Sequence, residues 1–152
     1  MLHLVKLIAM KQLSFICLLA LACLAGHSQN NNIQKQKFHW GRDQDTTAGY
    51  TQAIKVDNVI YISGSVSRGD AATALKNIYT NLDRTLKHFG ATFQNVVKEN
   101  LYTTDIEAVK AANHARKPFY NGDYPAATWV QISRLFLAEV TIEVELIAHL
   151  PK

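Results

Sequence analysis

Apolar residues recur at helical spacing between residues 71 and 89, where Leu75, Ile78, Tyr79, Leu82, Leu86 and Phe89 fall along one stripe. Asp70 stands where an N-terminal cap belongs and Gly90 where the chain must leave the helix. A second stripe of Ile106, Val109, Ala112, Arg116 and Phe119/Tyr120 predicts another helix, capped by Thr104 or Asp105. Pro118 should kink or end it, because the proline ring clashes with the carbonyl one turn back. Around these helices the runs 51–56, 59–63, 96–104, 126–132 and 140–149 read as strands. The first two are joined at Asp57-Asn58, residue types that tolerate the positive φ of a tight turn. Ser63-Gly64-Ser65 is expected to break the second of them. The order ββαβαββ predicts an α+β two-layer sandwich with both helices on one face of the sheet, over residues 47–150.

In the last strand Val140, Ile142, Val144 and Leu146 alternate with Thr141, Glu143, Glu145 and Ile147. One set must enter the core. The other places two carboxylates at i and i+2, about 6–7 Å apart by strand geometry. Ile147 continues that face, so it is not a fully wetted edge, and a monomer would leave it partly uncovered. This points to contact between subunits.

Residues 13–25 read LSFICLLALACLA, a run with one polar member. It is too short to span a bilayer, which needs about 20 apolar residues. It follows Met10-Lys11-Gln12 and precedes Gly26-His27-Ser28, the order of a secretory signal. Residues 1–28 are therefore expected to be a signal peptide, with Met10 a natural start and cleavage after Ser28 or Ala25, which implies a periplasmic or secreted protein. Both cysteines, Cys17 and Cys23, lie in this run, so the mature chain would have neither disulfides nor Cys-based metal sites. Ala20-Leu21-Ala22 ahead of Cys23 does not favour a lipid anchor. Residues 29–46 begin with Asn and Gln and are expected to form a polar tether.

The composition, 48% hydrophobic and 18% charged over 152 residues, suits one globular domain. The formal net charge is +4. Without Lys6 and Lys11 it falls to +2, from 14 basic and 12 acidic residues, interspersed along the chain. That is not the concentrated basic face of a nucleic-acid binder. His39, His88, His114 and His149 lack metal-ligand spacing, and neither a metal nor a cofactor is expected. Ser63 has no base near it in sequence and reads as a turn hydroxyl.

Between residues 49 and 149 the chain resembles the RidA (YjgF) family of enamine/imine deaminases. The likeness rests on Gly49-Tyr50-Thr51-Gln52, Ile62-Ser63-Gly64, Val97-Lys98, Tyr102-Thr103-Thr104-Asp105, Asn113, Tyr124-Pro125-Ala126 and the closing stretch from Ile142 to Ala148. It implies a chorismate-mutase-like fold and a homotrimer, with a small-molecule cleft between each pair of neighbouring subunits. It also implies hydrolysis of 2-imino or 2-enamino acids to keto acids and ammonia. By the resemblance Glu143 positions the hydrolytic water, with Glu145 the competing choice, and Tyr50, Ser63, Gly64 and Asn113 line the cleft.

Two positions depart from the family pattern. The arginine expected directly after Pro-Ala, which anchors the substrate carboxylate, is Ala127, and two residues on a small cysteine gives way to Trp129. Ala127, Trp129 and Gln131 share one strand face, so both changes are expected to alter the same cleft. A guanidinium–carboxylate pair contributes about 1.5–3 kcal/mol per bond, and its loss weakens binding by about 10–100-fold. An indole offers instead an apolar plate and one N–H donor. Arg68, in a loop, could reach a cleft, Arg116 is expected to snorkel or pair with an acid, and Arg134 is expected to be structural. Three functions are compatible with these residues: an exported imine or enamine hydrolase using Glu143, a trimeric metabolite-binding protein without turnover, and a structural trimer whose cleft Trp129 closes. A ribonuclease role fits poorly with export and a net charge of +2.

Overall fold

A computed structural model describes residues 32–152. The expected signal peptide, with Cys17 and Cys23, lies outside the described residues. The strands are β1 (Gln36–Phe38), β2 (Ala53–Val56), β3 (Val59–Val66), β4 (Val96–Thr103), β5 (Ala126–Gln131) and β6 (Ile142–His149). The helices are α1 (Arg42–Ala48), α2 (Ala71–His88), α3 (Ile106–Ala112) and α4 (Lys117–Tyr120). One sheet runs in the order β1-β2-β3-β6-β4-β5, with β4 and β5 parallel and the other neighbours antiparallel.

The two-layer core follows the expected stripes. In α2 the Asp70 carboxylate accepts from the Thr73 N–H at 3.0 Å, and the helix buries Leu75, Ile78, Tyr79, Leu82 and Leu86. These pack over Ile60, Ile62, Leu101, Ile142, Val144 and Leu146 from the central strands, each contributing about 1.5–3 kcal/mol on burial. The turn between β2 and β3 is Asp57-Asn58, with Asp57 at φ 51°.

Three expectations change. The second helical stripe does not form one helix. The α-helical turns stop at Ala112, a 3₁₀ turn follows at Asn113–Ala115, and Pro118 lies in the first turn of α4. A proline there removes one N–H and excludes a regular helix through the turn before it.

The stretch expected to be a tether is folded from residue 36 onward. Phe38 pairs with Ala53 across β1–β2, and its ring lies 4.3 Å from that of His88 and edge-on to Phe89. After it, α1 ends at Gly49, whose φ of 81° suits a residue without a Cβ. Asp45 in α1 is buried and paired with His39 Nδ1 at 2.9 Å.

Ser63-Gly64-Ser65 does not break β3. Ile62 pairs with Leu146 and Ser65 with Val144, so three steps on β3 match two on β6. The extra residue forms a β-bulge, which bends the strand and re-aims nearby side chains.

Candidate functional site

The bulge creates the site. Val66 on β3 pairs with Glu143 on β6, so the bulged residues lie beside the Glu143 side chain. A Cβ on Gly64 would stand 1.8 Å from Glu143 Oε1 and 2.6 Å from its Cδ. The carboxylate therefore rests against bare backbone, in space that only glycine leaves open. Ser63 is fixed beside it by two bonds to the chain ahead of β2. Its N–H donates to the Gln52 carbonyl at 2.9 Å and its hydroxyl to the Thr51 carbonyl at 2.8 Å.

A cavity of about 310 Å³ opens here, lined by Tyr50, Ser63, Gly64, Val66, Phe136, Leu137 and Glu143. One chain thus brings together four of the expected site residues: Tyr50, Ser63, Gly64 and Glu143. Sequence reasoning missed Val66, Phe136 and Leu137. Phe136 is 89% exposed, and an apolar Phe-Leu pair in the loop before β6 was the signal available for it.

The two carboxylates on β6 differ in their surroundings. Glu145 accepts from Asn100 Nδ2 at 2.7 Å and from the Tyr102 hydroxyl at 3.1 Å. Glu143 has no side-chain hydrogen bond among the described residues. Burial, and then the charge of Glu145, raises its pKa from the ordinary glutamate value. Burial and the neighbouring Asp45 carboxylate push the Tyr50 phenol up, so it stays protonated and can donate. The pair at this cavity is thus an unpartnered carboxylate that binds a proton more readily than usual and a phenol that keeps its own. Such a carboxylate can accept a proton from water and return it.

The remaining expected residues lie elsewhere in the chain. The β4–β5 register pairs Glu99 with Ala127 and Leu101 with Trp129, which puts both departures on the face of β4 turned toward the helices. Neither lines the Glu143 cavity. Trp129 is engaged by a buried polar cluster: Glu99, fully buried, accepts from Trp129 Nε1 at 2.8 Å, Tyr79 at 2.6 Å and Tyr120 at 2.5 Å. Arg116 pairs with the same carboxylate at 3.3 Å, as the acid-pairing expectation for it required. Its guanidinium carbon lies 4.7 Å from the Trp129 ring centre and 5.2 Å from that of Tyr120, a cation–π setting for a group whose buried Nε and Nη1 have no hydrogen-bond partner among the described residues. Burial and the Glu99 charge hold the Tyr79 and Tyr120 phenols protonated.

Asn113 follows α3, and its buried Oδ1 has no partner among the described residues. Arg68 is exposed and paired with Glu139 at 2.5 Å. Among the described residues no group of three His, Cys, Asp or Glu side chains is arranged to hold a metal, and no helix is long and apolar enough to cross a membrane.

The family model described as Endoribonuclease L-PSP matches residues 42–150. The chain belongs to the RidA (YjgF) family. A RutC family protein of Pyrococcus abyssi is 31% identical to this RidA-family chain over 109 residues, covering 66% of the chain and 85% of the relative. The human 2-iminobutanoate/2-iminopropanoate deaminase is 32% identical over 108 residues, covering 65% and 78%. A solved YjgF-family structure from Mycobacterium tuberculosis superposes with a TM-score of 0.71 at 20% identity, over 77% of this chain and all of that one. The mixed α+β fold of one sheet and several helices is thus the RidA-family fold. His39 and Trp40, before residue 42, fall outside the family match.

Proposed function

We propose that this RidA-family chain hydrolyses imine or enamine C–N compounds in the cavity at Glu143. The observation that carries the reading is the Glu143 carboxylate: unpartnered, with a raised pKa, laid over Gly64 and facing Tyr50 and Ser63. In this reading Glu143 takes a proton from a water molecule as the oxygen attacks the C=N carbon. The nitrogen is then protonated and leaves as ammonia, and the carbonyl product remains. Deaminase-named relatives at about 32% identity support the reaction class.

Ala127 sets the substrate apart. In the homotrimer proposed here position 127 reaches the cavity from a neighbouring subunit; as alanine it gives the site no bidentate grip on a carboxylate, and neutral or aromatic C=N compounds become the better fit. We further propose that the protein acts as a homotrimer, in which the half-buried Glu-bearing face of β6 meets another subunit, and that it is exported through the apolar run at residues 13–25. Sedimentation equilibrium should give three times the chain mass.

The test of the reaction is ammonia release from freshly generated imines, with carboxylate-bearing, neutral and aromatic members in the panel. Turnover by the wild type that is lost in Glu143→Gln supports hydrolysis. Silence across the panel, persisting in Ala127→Arg, favours the second reading that the missing arginine suggests, a metabolite-binding protein without turnover.

A further inference from the structure

The cavity at Glu143 has a neighbour across Tyr50. A second cavity of about 340 Å³ lies on the other side, against Trp40, Tyr50, Gln52, Gly64, Val66 and Asn81. It shares Tyr50, Gly64 and Val66 with the first, so the two cavities adjoin at Tyr50 and the bulged edge of β3, with Glu143 lining one and Trp40 the other.

Trp40 comes from the segment ahead of the family match, and that segment is fastened. Phe38 is held in the β1–β2 ladder and lies edge-on to Trp40 with ring centres 5.3 Å apart. His39 is bonded to the buried Asp45. The Arg84 guanidinium carbon lies 4.2 Å from the centre of the Trp40 ring. With all this contact Trp40 remains 41% exposed. A fixed indole with free surface in a cavity is a stacking plate that loses little entropy when a ring settles on it.

Apart from Gly64 and Val66, the rest of the lining is polar and uncharged. The Asn81 side-chain amide and the Ser65 hydroxyl line the cavity and hydrogen-bond no other group among the described residues. Gln52, nearly buried, is held by its Nε2 on the Ser63 carbonyl at 3.3 Å. Donors and acceptors without partners at a cavity wall, beside a flat apolar plate, suit a planar group that carries its own hydrogen-bonding atoms.

We propose that the Trp40 cavity is a subsite for the uncharged, planar, hydrogen-bonding tail of the ligand, a phenol or carboxamide for example, while its C=N carbon lies at Glu143. The proposal rests on the Glu143 reading for the position of the reacting end. It names the feature that replaces the lost arginine: affinity drawn from the tail rather than from the carboxylate.

The test compares two keto-acid products, which persist in water where imines do not. Calorimetric titration of the full protein with 4-hydroxyphenylpyruvate and 2-oxobutanoate should show the aromatic acid binding about 10-fold more tightly or better. Trp40→Ala should cut that ratio to about 3-fold or less, leave 2-oxobutanoate within about 2-fold, and Trp40→Phe should keep most of the preference. No binding of the aromatic acid, equal binding of the two acids, or a ratio untouched by Trp40→Ala overturns the subsite. Glu143→Gln separates the two readings. It should abolish ammonia release and keep the ratio, whereas retained release with the ratio intact would refute the role of Glu143 and leave the subsite standing.

Discussion

Replacing Gly64 with alanine should disable the site without unfolding the protein. The added Cβ would meet Glu143 Oε1 at 1.8 Å, Cδ at 2.6 Å and Cγ at 2.8 Å. Ordinary contact begins near 3.4 Å, so the carboxylate must retreat by about 1.5 Å, and misplacement of a catalytic group by about 1 Å costs about 100-fold in rate. The atoms struck are the end of a flexible side chain that borders a cavity and has no hydrogen bond to break among the described residues. Gly64 is not among the glycines with positive φ, so alanine suits its backbone and removes freedom from the unfolded chain, a gain of about 0.4–1 kcal/mol. The stability change should therefore stay within about 1 kcal/mol. Urea denaturation and ammonia release, measured on the same preparation, report the two quantities. A variant that keeps wild-type turnover would refute the placement of Glu143 over Gly64. One destabilised by about 3 kcal/mol, the overpacking range, would show that the space is rigid core rather than site.

The buried cluster gives a contrasting expectation. Glu99→Leu strands a buried guanidinium, two phenols and an indole N–H, and should cost about 3–5 kcal/mol in urea denaturation. Adding Arg116→Met should restore a large part of that loss, and a double variant no more stable than Glu99→Leu alone would contradict the pairing. Glu143→Gln should behave in the opposite sense. A carboxylate whose folded-state pKa is raised favours the fold while protonated, and that contribution is lost as pH rises through the raised value. The glutamine variant should therefore be more stable than wild type at neutral pH and lose the advantage in acid. Equal stability at both pH values would show that Glu143 is not held in a desolvating, like-charged place.

Much of this was legible in the residues because single-period patterns encode it. The α2 stripe, the Asp57-Asn58 turn and the alternation on β6 each follow from one repeat and one layer of packing. The Glu143–Gly64–Ser63–Tyr50 grouping was legible through the family resemblance. What was not legible depends on register. Nothing in Ser63-Gly64-Ser65 distinguishes a strand break from a bulge, since the difference lies in how β6 pairs with it. Trp129 and Ala127 share a strand face as period two requires, but which side of the sheet that face takes is set by pairing with Glu99 and Leu101 on β4. The strand β1 has three residues, too few for a period, and its hold on the fold comes from Phe38 meeting the far end of α2. Arg116 and Glu99 lie 17 positions apart, so their burial as a pair shows in neither stripe.

The central claim is that Glu143 is the base that activates water. The direct measurement is the pH dependence of kcat/KM for ammonia release from an aromatic imine, by wild type and Glu143→Gln, corrected for the uncatalysed reaction at each pH. The account predicts a rate that climbs with pH through a pKa above the free glutamate value of about 4.3, and a glutamine variant in which both the climb and most of the rate are gone. A glutamine variant with the same acid limb and the same rate would contradict it.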